Sequence, residues 1–203
     1  MIIGLTGGIA TGKSESAKYF NELGIFSIDA DAISKELTTS GMPAFNELVQ
    51  AFGRSVLCSN EFLNRKKLAN IIFSNKQAKS KVEKILHKRI ISCINEMILY
   101  NRNKHDVLIN APLLFEVGLD KICDKIIVIW VPYDIQVKRL MLRDNLDNAA
   151  AKKRIHSQMP LKEKIKFANF VIDNTGSKED LKKNINNLYK TCINISEQDL
   201  CNK

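Results

Sequence analysis

The stretch that most constrains this chain lies at its start. There the apolar run Ile2-Ile3-Gly4-Leu5-Thr6 leads into Gly7-x4-Gly12-Lys13-Ser14. This is the phosphate-binding loop pattern, which demands a buried strand before it and a helix after it. Gly7, Gly8 and Gly12 permit backbone angles that a Cβ would forbid, so successive N–H groups can turn inward around phosphate oxygens. Lys13 supplies a point charge for the outer phosphates, and Ser14 offers a hydroxyl to Mg²⁺. A helix beginning at Lys13 aims its positive end at the same anion. Ser16 through Leu23 place apolar residues at helical spacing and stop at Gly24, as such a helix requires. A glycine turn with an incidental lysine would lack that context, so the residues predict a nucleoside triphosphate site.

A chain of 203 residues suits one domain with room for inserted subdomains. Its 45% hydrophobic and 26% charged residues fit an ordinary soluble protein. No window approaches the ~18 apolar residues of a membrane span, and a strand starting at Ile2 leaves no room for a leader. Cys58, Cys93, Cys123, Cys192 and Cys201 are scattered, odd in number and without C-x-x-C spacing. That points to the reducing cytoplasm and away from zinc. The net charge of +9 is uneven: residues 65–89 carry +8 and residues 152–166 carry +5. These are either solvated helix faces or the flanks of a site for polyanionic substrates. Nucleic acid is not expected as a partner, because Trp130 lies in an apolar strand and no basic motif is interleaved with aromatics. A monomer is the default expectation.

Ile25 to Ile28 read as a second buried strand ending at Asp29-Ala30-Asp31. One aspartate suffices to cap the helix that follows to Leu37. The other stands where open α/β sheets place ligands, beyond the carboxyl end of a strand. Position alone does not choose between them, but Asp29 directly follows the strand and is better placed to cap, which leaves a catalytic or Mg²⁺ role to Asp31. Pro43 to Phe52 predict a helix closed by Gly53, Asn64 caps a helix from Arg65 to Phe73, and Ser74 caps a long one striped by Val82, Ile85, Leu86, Ile90, Cys93, Ile94 and Met97. So much helix between strands two and three suggests an inserted helical subdomain over about 33–104, able to hold a second substrate.

Asp106 to Ala111 and Lys125 to Val131 read as buried strands three and four. Asp134 is placed to cap a helix bearing Arg139 and Arg143, whose i, i+4 spacing puts both on one face. A basic helical stretch from Asp147 to Phe167 follows, then a short strand, Phe170 to Ile172, and a last helix capped by Ser177. That helix buries Leu181, Ile185, Leu188, Cys192 and Ile195, with a frayed tail from Ser196. Five strands alternating with helices imply a parallel α/β sheet.

A GTPase would need N-K-x-D at the end of a strand; Asn75-Lys76-Gln77-Ala78 lacks the aspartate, and Asn103-Lys104-His105-Asp106 precedes strand three instead of following a strand. A motor or transport ATPase would end an apolar strand on an acidic residue, where strand three has Asn110. A compact chain with a helical acceptor subdomain and a basic lid, here about 143–168, fits a small-molecule kinase best. A nucleotide-regulated binding protein is the alternative from another class.

Several segments together resemble one family, the dephospho-coenzyme A kinases. They are Ile3 to Ile9 with Gly12-Lys13-Ser14, Ile28-Asp29-Ala30-Asp31, Gly41 and Pro43, Phe52-Gly53, Asn64-Arg65 with Leu68, and Leu86-His87 with Ile90. Pro112-Leu113-Leu114-Phe115-Glu116, Gln136, Arg139-Leu140, Arg143, Arg154-Ile155, Gln158, Lys164, Ala168, Val171-Ile172, Asn174 and Gly176 complete the series. The family usually has glycine at Ala10, threonine at Glu15, proline at Lys88 and aspartate at Asn169. Glu15, one residue past Ser14, lowers the expected triphosphate affinity unless its side chain points away.

The resemblance implies ATP-dependent phosphorylation of the ribose 3′-hydroxyl of dephospho-coenzyme A, the last step of coenzyme A synthesis. It implies that Gly7, Gly8, Ala10, Thr11, Gly12, Lys13, Ser14 and Glu15 take the triphosphate, with Asn174 and Gly176 at the adenine and Mg²⁺ at Ser14. Asp31 would accept the hydroxyl proton, and Arg139 and Arg143 would join Lys13 in stabilising the transferring group. Arg65, His87, Leu113 and Glu116 would face the acceptor.

Overall fold

The computed structural model describes residues 1–193. Expectations for Ile195, the tail from Ser196 and Cys201 fall outside the described residues, as does the side chain of Cys192. Contacts divide the chain into two units, one of Met1–Ile28 with Asn101–Lys203 and the other of Asp29–Tyr100.

The first unit is built on a five-stranded sheet of β1 (Ile2–Gly7), β2 (Phe26–Asp29), β3 (Val107–Asn110), β4 (Lys125–Trp130) and β5 (Phe170–Asp173), in the order β2-β3-β1-β4-β5. β1 pairs in parallel with β3 (Leu5 opposite Asn110) and with β4 (Gly7 opposite Ile129), and β4 pairs in parallel with β5. Burial explains which strands are central. The runs Ile-Gly-Leu-Thr-Gly, Val-Leu-Ile-Asn and Ile-Ile-Val-Ile are buried continuously, whereas β2 and β5 bury only some positions. Strands covered on both faces read as unbroken apolar runs.

One face packs on α1 (Lys13–Glu22) and α9 (Lys178–Leu188). Ala17 and Phe20 from α1 and Leu181 and Ile185 from α9 meet Ile3, Leu5, Leu108, Ile127, Ile129 and Ile172 of the sheet. Full burial of a side chain such as Phe20 stabilises by up to ~3 kcal/mol. Near β1, Leu114 and Cys123 lie so close that a Cβ on Gly4 would sit 2.8 Å from Leu114. Burial pushes the Cys123 thiol up to about 12, so it behaves as an apolar filler. The remaining helices of this unit are α6 (Tyr133–Asp144), α7 (Asn148–Ile155) and α8 (Leu161–Lys166).

The second unit is helical: α2 (Ala30–Leu37), α3 (Pro43–Phe52), α4 (Arg65–Ser74) and α5 (Lys76–Asn101), which runs one residue past the unit boundary. Its core is Leu48, Val56, Leu68 and Val82, with Phe52, Leu63, Ile85 and Leu86 against them. Arg89 of α5 grips Glu47 of α3 with two hydrogen bonds, of 2.6 and 3.3 Å.

Caps account for most boundaries. Asp29 accepts the Ala32 amide at 3.0 Å and Asn64 accepts that of Lys67 at 2.9 Å. Ser177 and Asp180 form a reciprocal capping box on α9. Two expected caps are corrected. Asn75, not Ser74, caps α5, accepting the amides of Gln77 and Ala78 at 2.8 and 3.1 Å. Asp134 caps nothing, because Pro132 occupies the N-cap and Asp134 lies in the first turn, where its charge still favours the helix dipole.

Because Asp29 caps α2 through its side chain, Asp29→Ala should cost about 1 kcal/mol of stability. A urea unfolding curve should show a lowered midpoint with an unchanged slope.

Candidate active site

The loop between β1 and α1 is held by its carbonyls. The Gly8 carbonyl accepts from the Thr11 hydroxyl at 2.9 Å, that of Ile9 from the Gln136 side chain at 2.7 Å, and that of Thr11 from the Asn174 side chain at 2.8 Å. The Gly12 carbonyl accepts the Glu15 and Ser16 amides at the start of α1. With the acceptors turned into the protein, the amides of Ala10, Gly12 and Ser14 donate to no protein acceptor among the described residues. Unpaired N–H groups at a helix start form an anion site.

Two glycines leave no room for a Cβ unless a loop-holding side chain moves. Gly12 has φ +94°, and a Cβ there would stand 2.1 Å from the Asn174 amide nitrogen. A Cβ on Gly8 would stand 2.3 Å from that of Gln136. The same side chains that hold the loop carbonyls therefore occupy the space a larger residue would need. Ala10 also adopts a left-handed backbone, φ +62°, which explains why glycine is the usual residue there.

The expected triphosphate residues Gly7, Gly8, Ala10, Thr11, Gly12, Lys13 and Ser14 are contiguous here. The Lys13 ammonium donates to Asn110 at the end of β3, at 2.5 Å. Asn174 and Gly176 follow β5, and Asn174 reaches the loop directly. Glu15 turns to the Tyr19 hydroxyl (3.2 Å), Lys18 (3.4 Å) and Lys178 (3.6 Å). The hydrogen bond from Lys18, aided by Lys178, holds its carboxyl below the usual range. Its negative charge is thus matched by lysines. Asn169 uses its oxygen to accept the Ile126 amide at 2.8 Å, a task that needs only an acceptor, so asparagine serves where aspartate is usual.

The two arginines of α6 have different partners despite their spacing. Arg139 is half-buried and donates to the Asn174 carbonyl at 2.9 Å. Arg143 is exposed and binds Asp144 at 2.8 Å, which Arg154 of α7 also binds at 2.5 Å. Arg143 and then Arg154 hold the Asp144 carboxyl below its ordinary range. Lys164 corrects the picture of a uniformly solvated basic stretch, since its side chain is fully buried. It donates to the Pro112 carbonyl and pairs with Glu116, and burial outweighs that carboxylate to push its ammonium below the usual lysine value. Leu113 is exposed on the same loop.

Among the expected acceptor residues of the helical unit, Asp31 lies in the first turn of α2 and is exposed. Arg65 begins α4 and donates to the Lys35 carbonyl at 2.8 Å, while His87 is half-buried in α5.

Sequence reasoning gave no role to Asn110, Gln136 or Gln158. Gln136 carried a usable signal, as a polar residue beside Val137 and Leu140 on the buried stripe of α6.

Among the described residues no three His, Cys, Asp or Glu side chains form a metal cluster. The exposed Ser14 hydroxyl, with no protein hydrogen bond there, fits Mg²⁺, which keeps several waters and takes few protein oxygens beside phosphates. No described helix is long and apolar enough to cross a membrane.

The family model for dephospho-CoA kinase matches residues 1–180. The chain belongs to the dephospho-CoA kinase family. It is 39% identical to the dephospho-CoA kinase of Bacillus licheniformis, over 97% of this chain and 99% of that one. The dephospho-CoA kinase of Campylobacter jejuni superposes with a TM-score of 0.69 at 32% identity, covering 93% of this chain and 95% of that one. A Thermus thermophilus protein of known structure gives 0.79 at 28% identity, with 94% and 96% covered. The fold is that of the Campylobacter jejuni kinase.

Gly12→Ala combines a left-handed backbone with a contact against Asn174. It should raise the KM for ATP about 5- to 30-fold, as expected of a strain of 1–2 kcal/mol placed on the bound loop, while circular dichroism shows an intact fold.

Proposed function

We propose that this protein transfers the γ-phosphoryl group of ATP to the ribose 3′-hydroxyl of dephospho-coenzyme A, giving coenzyme A and ADP. The observation that carries this reading is the phosphate loop with its carbonyls tied inward and its amides open, in a chain that the family matches over residues 1–180.

Phosphoryl transfer needs positioning and charge neutralisation more than covalent chemistry from the protein. The loop amides and the start of α1 take the β- and γ-phosphates, and Lys13, held beside Asn110, adds a full positive charge. Ser14 would hold Mg²⁺, whose role when bound is to neutralise phosphate charge. Asp31 accepts the proton of the 3′-hydroxyl while that oxygen bonds to the γ-phosphorus and the bond to the β,γ-bridging oxygen breaks, releasing ADP. Arg139 and Arg143 stabilise the charge that spreads over the transferring group. Asn174 and Gly176 line the adenine side.

The helical unit is assigned to the acceptor, with Arg65 and His87 as the groups that bind it, together with Leu113. Glu116 of the same loop is assigned to the acceptor as well, with its oxygens engaged by Lys164 and the Met159 amide. Residues 143–168 are assigned to a basic lid, because a reaction that moves phosphate must exclude water. The protein is proposed to work as a cytoplasmic monomer.

ADP release measured with ATP, Mg²⁺ and dephospho-coenzyme A, AMP, CMP, uridine or shikimate tests the acceptor. It should rise most with dephospho-coenzyme A. A larger response to a mononucleotide would overturn the acceptor assignment alone, and no release with any acceptor would favour a nucleotide-regulated binding protein. Asp31→Asn should lower kcat at least ~10²-fold with little change in ATP affinity.

A further inference from the structure

Among the described residues Lys164 is the one Lys, Arg, Asp or Glu that is buried, and although it lies in the segment assigned to the lid, the proposed transfer gives it no role of its own. Its ammonium donates to the Pro112 carbonyl at 2.5 Å and meets the two Glu116 oxygens at 3.0 and 3.2 Å. Glu116 in turn accepts the Met159 amide at 2.9 Å. The preceding residue, Gln158, accepts the Ile9 amide at 3.0 Å through its side-chain oxygen. A continuous line of polar contacts thus runs from the buried lysine to the tip of the phosphate loop.

That tip is held on other sides too. The Ile9 carbonyl accepts from Gln136, and the side chains of Ile9 and Ala10 pack against the cluster of Val137, Leu140 and Ala151. Because Gln158 takes the Ile9 N–H, it decides which loop amides are left to face an anion. Replacing a buried ion pair by well-packed apolar side chains is often neutral or stabilising, so stability alone does not account for Lys164, whose two contacts hold the Glu116 carboxylate.

We propose that Lys164 is a positioning residue for triphosphate binding, acting through Glu116 and the Met159 amide to fix Gln158, which sets the tip of the phosphate loop. The inference rests on the reading of that loop as the ATP site.

Steady-state kinetics in ATP should be compared for wild type, Gln158→Ala, Lys164→Met and the double variant, all full-length. Each single variant should raise the KM for ATP about three- to tenfold, the size of one net hydrogen bond, with kcat within about twofold. The double variant should be no worse than the worse single one, because both changes release the same turn. An unchanged KM in Lys164→Met with a lowered melting temperature would mean a purely structural lysine and overturn the proposal. Effects that multiply in the double variant would overturn it as well. If Lys164→Met does not fold, Lys164→Gln takes its place in the cycle, with the same two criteria. Wild-type protein that releases no ADP from ATP would overturn the ATP reading, and the inference with it. Multiplying effects in an active enzyme would overturn the inference alone.

Discussion

The hydrogen bond from the Asn174 side chain to the Thr11 carbonyl, 2.8 Å long and buried, joins the far edge of the sheet to its centre. Asn174 follows β5, and Thr11 lies in the loop that leaves β1. Without such a donor the Thr11 carbonyl would be a buried acceptor with no partner, at a cost of about 1–3 kcal/mol. Arg139 then binds the backbone carbonyl of the same asparagine, so α6 and the β5 end are fixed together. Gln136, one turn earlier on α6, captures the Ile9 carbonyl. The loop's outward-facing amides follow from this arrangement. Preorganised donors need no rearrangement when charge arrives, which is where catalysis of phosphoryl transfer gains most.

Much of this was legible in the sequence because it depends on local rules. The central strands announce themselves as unbroken apolar runs, and Pro43, Gly53, Asn64 and Ser177 mark helix ends by chemistry that acts within a few residues. The choice of Asn75 over Ser74 as a cap was not legible, because both residues suit an N-cap and only the register of α5 decides. The resting partners of Arg139 and Arg143 were not legible for a different reason. Helical spacing gives a shared face but not the partners, and Asn174 and Asp144 come from elsewhere in the chain. Asn110 and Gln158 were invisible for the same reason, since each meets its partner across 97 or 149 residues of sequence.

Charge follows a similar logic. Glu15 looks unfavourable beside a phosphate site when read one residue at a time, yet Lys18, Tyr19 and Lys178 occupy its carboxylate. Lys164 looks like one more solvated lysine in a basic stretch and is instead buried against Pro112 and Glu116. For Lys164 the partners lie on another element, which local sequence does not reveal; for Glu15 two of them, Lys18 and Tyr19, lie on its own helix at i+3 and i+4, and Lys178 comes from α9.

The loop is assembled before any ligand arrives, with the Ala10, Gly12 and Ser14 amides left for phosphate. An amide-resolved nuclear magnetic resonance titration of the isotope-labelled protein with ATP and Mg²⁺ tests this. The amides of Ala10, Gly12 and Ser14 should shift most and saturate with one dissociation constant, while the Asn174 and Gln136 side-chain amides keep their slow exchange throughout. Saturable ATP binding that leaves those loop amides unmoved would contradict it.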